Sequence, residues 1–475
     1  MQTRYSNIAT CWADLIIHTL IASGISDLCL APGSRSGALA IAAASHTGLT
    51  LHVHYDERSL GFFALGLSKA SQKPVAILTT SGTAIANLFP AIVEAYEFQN
   101  PLIILTADRP PELIGIGANQ AINQHNFYGT FVHKETQLPV PSTDISAQEL
   151  TKIIHNTLQI SIQKKGPVHI NCPFREPFMP TENTEDFSKY LQSLDIKKSM
   201  PLSEQKPLPN NIQKTDYILA GHTPISPDEI LKLSEKNNTK IIPDILSPLR
   251  FTKHPNIINN AVDQLLKGTL KVTTFTKIGH RFTSRALINP QDYQTEKSTS
   301  PLAKTIETIS QNLPENWNVF CGNSTPIRLW DRYAIPTKTP YPVYANRGAS
   351  GIDGLISTAS GIATNTHKPT FVFIGDLSFL HDLNGLYWLT KTKIPVVILV
   401  LNNNGGAIFK ELPIHTTPEI YEQCFQTPTG LNLKGICDMM SISYTRTTTP
   451  EKDIEVAFKN PITRVIEWVE PPPQT

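Results

Sequence analysis

Apolar and polar positions fall into three textures along this 475-residue chain. From residue 20 to 175, short β-rich runs ("SDLCLAP", "LTLHVHY", "PVAILTT", "PLIILTA", "GPVHINC") alternate with longer stretches. In those stretches, "SGALAIAAASH", "SLGFFALGLSKAS" and "TAIANLFPAIVEAYEF", apolar residues recur at helical spacing. Strands alternating with helices predict a parallel sheet joined by crossover helices. A second block of this kind runs from about 311 to the end, with strands expected in "NWNVFCG", "YPVYAN", "PTFVFIG", "IPVVILVL" and "TRVIEWV". Between the blocks, Lys, Ser, Asn, Thr and Pro become frequent, and "TENTEDFSKYLQSLDIKKSMPLSEQKPLPNN" reads as a linker. Weaker α/β signals follow it in "TDYILAG", "TKIIPDIL" and "LKVTTFTKIG". The expected architecture is α/β, with three consecutive domains of parallel sheet flanked by helices, at 1–180, 181–310 and 311–475. No short internal repeat is legible.

Composition narrows the function classes. The chain is 40% hydrophobic and 17% charged, ordinary for a globular protein. A net charge of +1 supplies no broad field to recruit nucleic acid or an anionic membrane, so an anionic substrate must be held by local arginines. Six scattered cysteines without a C-x-x-C pair argue against a zinc site or disulfide framework and fit a reducing cytosol. "MQTRYSNIATCWADLIIHTL" contains Asp14 and reads as an amphipathic first helix, not as a signal peptide. No apolar run approaches the ~20 residues of a membrane span. The expectation is a soluble, cytoplasmic protein that binds no nucleic acid.

The most informative stretch is "LNNNGG" (401–406), directly after "IPVVILV". Upstream, "TFVFI" ends at Gly375-Asp376, and Phe379, Leu380, Leu383, Leu386 and Tyr387 are spaced for one helical face. A strand–helix–strand unit of this length brings both strand ends to one edge of the sheet, where open α/β sheets bind ligands. Asp376 and Asn403 are therefore expected together. A carboxylate, an amide oxygen and a carbonyl freed at a glycine make an all-oxygen set that suits Mg²⁺ beside a phosphate. The plainer alternative is a helix-capping aspartate and an asparagine-rich turn.

G-D, some two dozen residues, then N-N resembles the cofactor motif of thiamine-diphosphate enzymes. That resemblance implies thiamine diphosphate with Mg²⁺, or Mn²⁺ in its place. The metal ligands would be Asp376, Asn403 and the carbonyl of Gly405, with Leu377 and Ser378 beside the diphosphate. It also implies a glutamate, from the other subunit, that hydrogen-bonds the aminopyrimidine and promotes proton removal from the thiazolium. Glu57 in "HVHYDERSLGFFALGLSKAS" stands between a strand and a helix and matches that role. Its alternative is a solvated or helix-starting glutamate near Arg58.

Further wording narrows the resemblance: "APGSRS" (31–36), "HYDER" (54–58), "TTSGTAIANLFPA" (79–91), "LTADRPPEL" (105–113), "GANQAINQ" (117–124), "GPVHINCPFREP" (166–177), "GNSTPIR" (322–328), "NRGASGIDG" (346–354) and "NNNGGAIF" (402–409). In this order they resemble the branch of the family that serves menaquinone biosynthesis. Members of that branch decarboxylate 2-oxoglutarate and add the succinyl carbanion to isochorismate by 1,4-addition. The resemblance implies that Ser34, Arg35, Arg109 and Gln120, with Asn119 nearby, face isochorismate. Ser324, Arg328 and Arg347 would handle the succinyl end or carboxylates shared by the two substrates, the arginines with the planar fork that grips carboxylates. Ile352 would be the wedge that keeps the cofactor bent, and Ile408, Phe409 and Leu412 an apolar wall that keeps water from a carbanion. A homodimer or homotetramer with sites between subunits is implied. His52 and His54 alternate with Leu51, Val53 and Tyr55 and are expected to decorate one strand face without a catalytic role.

Each of these residues also has a structural explanation: a helix start at Ser34-Arg35, a turn at Asp108-Arg109-Pro110, core packing at Ile352. The sequence departs from the family in a shorter central region. It also has Ser284-Arg285 where a Lys-Arg pair is expected, which leaves Arg285 alone for substrate. No glycine-rich nucleotide fingerprint follows a central strand, so FAD is not expected. Competing readings are another thiamine-diphosphate 2-oxoacid decarboxylase or carboligase, a non-catalytic paralogue, and an unrelated nucleotide-binding protein.

Overall fold

The computed structural model describes residues 2–192, 194–196, 215–223, 225–259, 261–266, 268–272, 274–279, 282, 302–337, 339–411 and 417–469. The chain falls into two compact units, 1–203 and 204–475.

In the first unit the strands are β1 (Arg4–Tyr5), β2 (Asp27–Leu30), β3 (Thr50–Val53), β4 (Val75–Thr79), β5 (Leu102–Asp108), β6 (Glu135–Gln137), β7 (Val168–Pro173) and β8 (Glu185–Asp186). Six form one parallel sheet in the order β3-β2-β4-β5-β7-β6, and β1 pairs antiparallel with β8. Strands β4, β5 and β7 are buried along their whole length, as a sheet covered on both faces requires. Alternate residues Ala76, Leu78, Ile103, Leu105, Val168 and Ile170 share one core with the helices Ile8–Ala22, Gly37–Ser45 and Ala147–Lys164. The opposite parity, Ile77 and Ile104, lies on the other face.

One expectation changes here. The first helix is not amphipathic: no residue from Ile8 to Ala22 is exposed, and its single acid, Asp14, accepts the Tyr5 hydroxyl at 2.6 Å and contacts His46 Nε2 at 2.7 Å. His52, on β3, and His54, just after it, share a face as expected. His54 is buried and accepts the Asp56 backbone N–H at 2.9 Å, and His52 meets Asp27 at 2.8 Å, while Val53 and Tyr55 are exposed.

Among the described residues, the second unit holds two sheets. Strands β9 (Tyr217–Ala220), β10 (Lys240–Pro243) and β11 (Phe275–Ile278) pair in parallel as β10-β9-β11. Leu219 and Ile242 pack to one side, and Ile218, Ala220, Ile241 and Ile278 to the other. Strands β12 (Asn318–Cys321), β13 (Val343–Tyr344), β14 (Thr370–Gly375), β15 (Val396–Asn402), β16 (Ser443–Thr447) and β17 (Arg464–Val469) form a second parallel six-stranded sheet, ordered β13-β12-β14-β15-β17-β16. Numbered within its own sheet, each six-stranded sheet reads 2-1-3-4-6-5. The sequence carries no short repeat, yet the topology repeats.

The crossover from β14 to β15 is also more broken than a single helical face implies. Helix Asp376–His381 and helix Leu386–Lys391 are separated by a tight turn at Leu383–Gly385. Phe379 and Leu386 are buried, while Leu380, Leu383 and Tyr387 are only half-buried. The break is fixed by Asp382, a buried carboxylate that accepts the Ser357 backbone N–H at 2.8 Å and its hydroxyl at 3.1 Å. Among the described residues, no helix is long and apolar enough to cross a membrane.

Candidate active site

In the second unit, Gly375 closes β14 opposite Leu401 of β15, so the residues that follow each strand emerge side by side. Asp376 then starts its helix, and its Oδ2 accepts the Gly405 backbone N–H at 2.7 Å. The two ends of the crossover are thus in direct contact, with Asn403 half-buried between Asn402 and Asn404. Asp376 and Asn402–Asn404 line a cleft of about 590 Å³. Gly405 has φ +109°, and a Cβ there would lie 1.9 Å from the Gln426 carbonyl oxygen. What demands this glycine within the chain is therefore the passing backbone of Gln426, which accepts the Gly406 N–H at 2.7 Å.

Burial raises the Asp376 pKa above the ordinary carboxylate range, the Gly405 and Leu377 N–H groups pull it back, and the charge of Glu467 raises it further. A carboxylate in that environment gains from a nearby cation. Among the described residues, no three His, Cys, Asp or Glu side chains are gathered to hold a metal. A cation here would instead be held by one carboxylate supplemented by amide and carbonyl oxygens, and that donor set fits Mg²⁺. Ser378 is buried behind Asp376, and Leu377 is half-buried.

Ser324 opens helix Thr325–Tyr333 with φ +71°, and its carbonyl accepts Arg328 Nη1 at 2.7 Å. Buried Asn323 donates to the carbonyls of Asn346 (2.8 Å) and Gly351 (2.6 Å), and its Oδ1 accepts Arg347 Nη1 at 2.8 Å. Ser324, Arg347 and the loop bearing half-buried Ile352 are therefore tied around one amide. Ile408 is half-buried, and Phe409 is exposed with its ring against Phe425 at 5.6 Å. Arg285 and Leu412 lie outside the described residues.

In the first unit, the expected isochorismate residues collect at the same edge of its own sheet. Arg35, after β2, is buried, donates to the Phe174 carbonyl at 2.9 Å, pairs with Glu176 at 3.3 Å and stacks on Phe178 at 4.6 Å. Gly33 passes so close to Thr80 that a Cβ would lie 2.3 Å from the threonine Cβ. Arg109, after β5, is buried and donates to the Ser81 hydroxyl, while Asp108 accepts the Arg109 backbone N–H at 2.7 Å. Burial lowers the Arg109 pKa, and the positive charge of Arg35 lowers it further. Two guanidiniums that repel at a sheet edge form a place for an anion. Gln120, at φ +55°, donates to the Ser81 carbonyl at 2.8 Å and accepts the Ser81 hydroxyl at 3.0 Å. Ser34 and Asn119 are exposed beside them.

Glu57 occupies the first position of helix Glu57–Ser71, half-buried, and accepts Asn87 Nδ2 at 3.2 Å. Two polar centres were not anticipated. Glu467 on β17 is buried in the Asp376 cleft, where it accepts Asn402 Nδ2 at 2.5 Å and the Tyr444 hydroxyl. Asn171 on β7 and Gln124 are buried at the first unit's edge. Their signal was present: a polar residue inside an otherwise apolar central strand must find partners.

Two family models match the chain: the thiamine pyrophosphate enzyme N-terminal TPP binding domain over residues 11–127 and the corresponding C-terminal TPP binding domain over 327–466. These matches fall on the two six-stranded sheets and define the class as thiamine-diphosphate enzymes. The 2-succinyl-5-enolpyruvyl-6-hydroxy-3-cyclohexene-1-carboxylate synthase of Shewanella halifaxensis is 35% identical, covering 96% of this chain and 94% of its own. That of Shewanella frigidimarina is 38% identical over 85% of each chain. The chain belongs to this synthase family. The alignment to the first relative runs 540 positions, so that relative carries stretches this chain lacks. The crystal structure of benzoylformate decarboxylase from Polynucleobacter necessarius shares the fold, with a TM-score of 0.69 at 15% identity over 99% of both chains.

Proposed function

We propose that this protein decarboxylates 2-oxoglutarate and adds the succinyl carbanion to isochorismate by 1,4-addition. The product would be 2-succinyl-5-enolpyruvyl-6-hydroxy-3-cyclohexene-1-carboxylate, in menaquinone biosynthesis. The observation that carries the reading is the Asp376–Gly405 contact at 2.7 Å with Asn403 beside it, on the edge where its sheet topology binds ligands. Asp376, Asn403 and the Gly405 carbonyl hold Mg²⁺, or Mn²⁺ in its place, with Leu377 and Ser378 against the diphosphate. When bound, thiamine diphosphate supplies the electron sink for the carbanion left by loss of carbon dioxide. The protein orients the reactants and places charge. Glu57 holds the aminopyrimidine proton, and Ile352 and Ile408 shape the cofactor's surroundings. Arg35, Arg109, Gln120, Ser34 and Asn119 bind isochorismate, joined by Arg285. Ser324, Arg328 and Arg347 receive the dicarboxylate's far end, and Phe409 and Leu412 exclude water.

The working unit is a cytoplasmic homo-oligomer, dimer or tetramer, in which Glu57 serves the cofactor of another copy. The chain is organised as three α/β domains, at 1–180, 181–310 and 311–475. The test is isochorismate consumption by purified protein with Mg²⁺, thiamine diphosphate and 2-oxoglutarate, each omitted in turn. Consumption that needs every component supports the reading. Carbon dioxide release with isochorismate untouched would keep the decarboxylase and remove the acceptor.

A further inference from the structure

Asn171 is completely buried on β7, yet its amide has no unused bond. Its Nδ2 donates to Asp108 Oδ2 at 2.7 Å and to Gln137 Oε1 at 2.8 Å. Its Oδ1 accepts the Thr106 hydroxyl at 2.7 Å and Gln124 Nε2 at 2.8 Å. Two donors and two lone pairs are all that a carboxamide has. Because Thr106 gives its one proton to Asn171, His169 Nε2, 2.7 Å from the same hydroxyl, is the donor in that contact.

The bonds converge on one place. Asp108 uses its other oxygen on the Arg109 backbone N–H at 2.7 Å. Gln124 takes the Gly82 N–H on Oε1 at 3.1 Å and donates to the Ala107 carbonyl at 3.3 Å. Ser81, next to Gly82, receives Arg109 and exchanges hydrogen bonds with Gln120. An apolar side chain here would leave Asp108, Gln137, Thr106 and Gln124 without these bonds. The amides instead lock the ends of β4 and β5 to one another at the residues that present Arg109 and Gln120.

We propose that Asn171, acting with Gln124, is a positioning residue that sets Arg109 and the Ser81–Gln120 arm for recognition of the isochorismate carboxylates. The inference rests on the reading of function above and deepens it. It concerns the acceptor substrate alone, because these bonds join residues of the first unit's sheet edge that are read as facing isochorismate.

The test uses full-length holoenzyme carrying Asn171→Asp, which keeps the side chain's size and the Oδ1 acceptor but turns an oxygen toward Asp108. The partner variant Gln124→Glu keeps the Gly82 acceptor and removes the donors. Each is expected to raise KM for isochorismate about 10- to 100-fold, the penalty of a misplaced binding group, while KM for 2-oxoglutarate holds. Gln124 lies in a loop, so its variant carries the test if Asn171→Asp fails to fold. A folded variant with unchanged KM for isochorismate overturns the proposal. So does an equal rise for both substrates, which would mark general loosening of the unit. Wild-type enzyme that releases carbon dioxide but never consumes isochorismate would remove the underlying reading, a failure visible before any variant is made.

Discussion

The two six-stranded sheets share one strand order and carry opposite chemistry on the same edge. In the first, Arg35 and Arg109 are buried, and burial and then the positive charge of Arg35 lower the Arg109 pKa. In the second, buried Asp376 feels the like charge of Glu467. One edge is short of an anion and the other of a cation. Topology therefore decides where ligands gather, and the side chains after each strand decide their sign. Even the glycines act alike: Gly33 lets the chain pass Thr80, and Gly405 lets it pass Gln426.

Substitutions can break this division. The largest effect is expected from Glu57→Gln, a first-unit residue read as serving the cofactor, with turnover falling about 10²- to 10⁴-fold as a proton-transfer group is lost. Steady-state rates with saturating cofactor measure it, and a near wild-type rate would return Glu57 to a helix-start role. Asp376→Asn removes the one carboxylate of the cation set and is expected to lower turnover about 100-fold, partly restored by excess Mg²⁺. Arg109→Lys keeps the charge but loses the fork, so KM for isochorismate should rise about 10-fold with 2-oxoglutarate use intact.

The smallest effect lies off both edges. Burial, with the neighbouring charge of Asp244, pushes Asp331 up to about 7, against the pull of Arg250. The folded state therefore holds this proton more tightly than the unfolded chain, where the group titrates near ~3.9. Its contribution to stability is complete below about pH 4 and lost as pH rises through about 7. Urea midpoints against pH should decline across that window in the wild type and flatten in Asp331→Asn.

The sequence made the apolar strands legible and left the polar ones hidden. All five strands expected in each flanking block are present, and the three weaker central α/β signals each contain a strand. In both large sheets the missed strand is the fifth, β6 "ETQ" and β16 "SYTRT", each at a sheet edge where a strand needs no continuous apolar run. That Asp376 and Asn403 would share one cleft was readable because a crossover fixes which strand ends share an edge. Glu467 and Asn171 were not, because their partners come from residues distant in sequence, and only the folded sheet shows where a buried polar group finds its bonds. His54, by contrast, finds its partner locally, in the Asp56 N–H two residues on.

The most direct test of the division between the edges is calorimetric titration of Mg²⁺–thiamine diphosphate into wild type, Asp376→Asn and Arg109→Ala. The account predicts that Asp376→Asn loses most of the binding heat and affinity while Arg109→Ala binds as the wild type does. Equal weakening in both variants, or undiminished binding to Asp376→Asn, would contradict it.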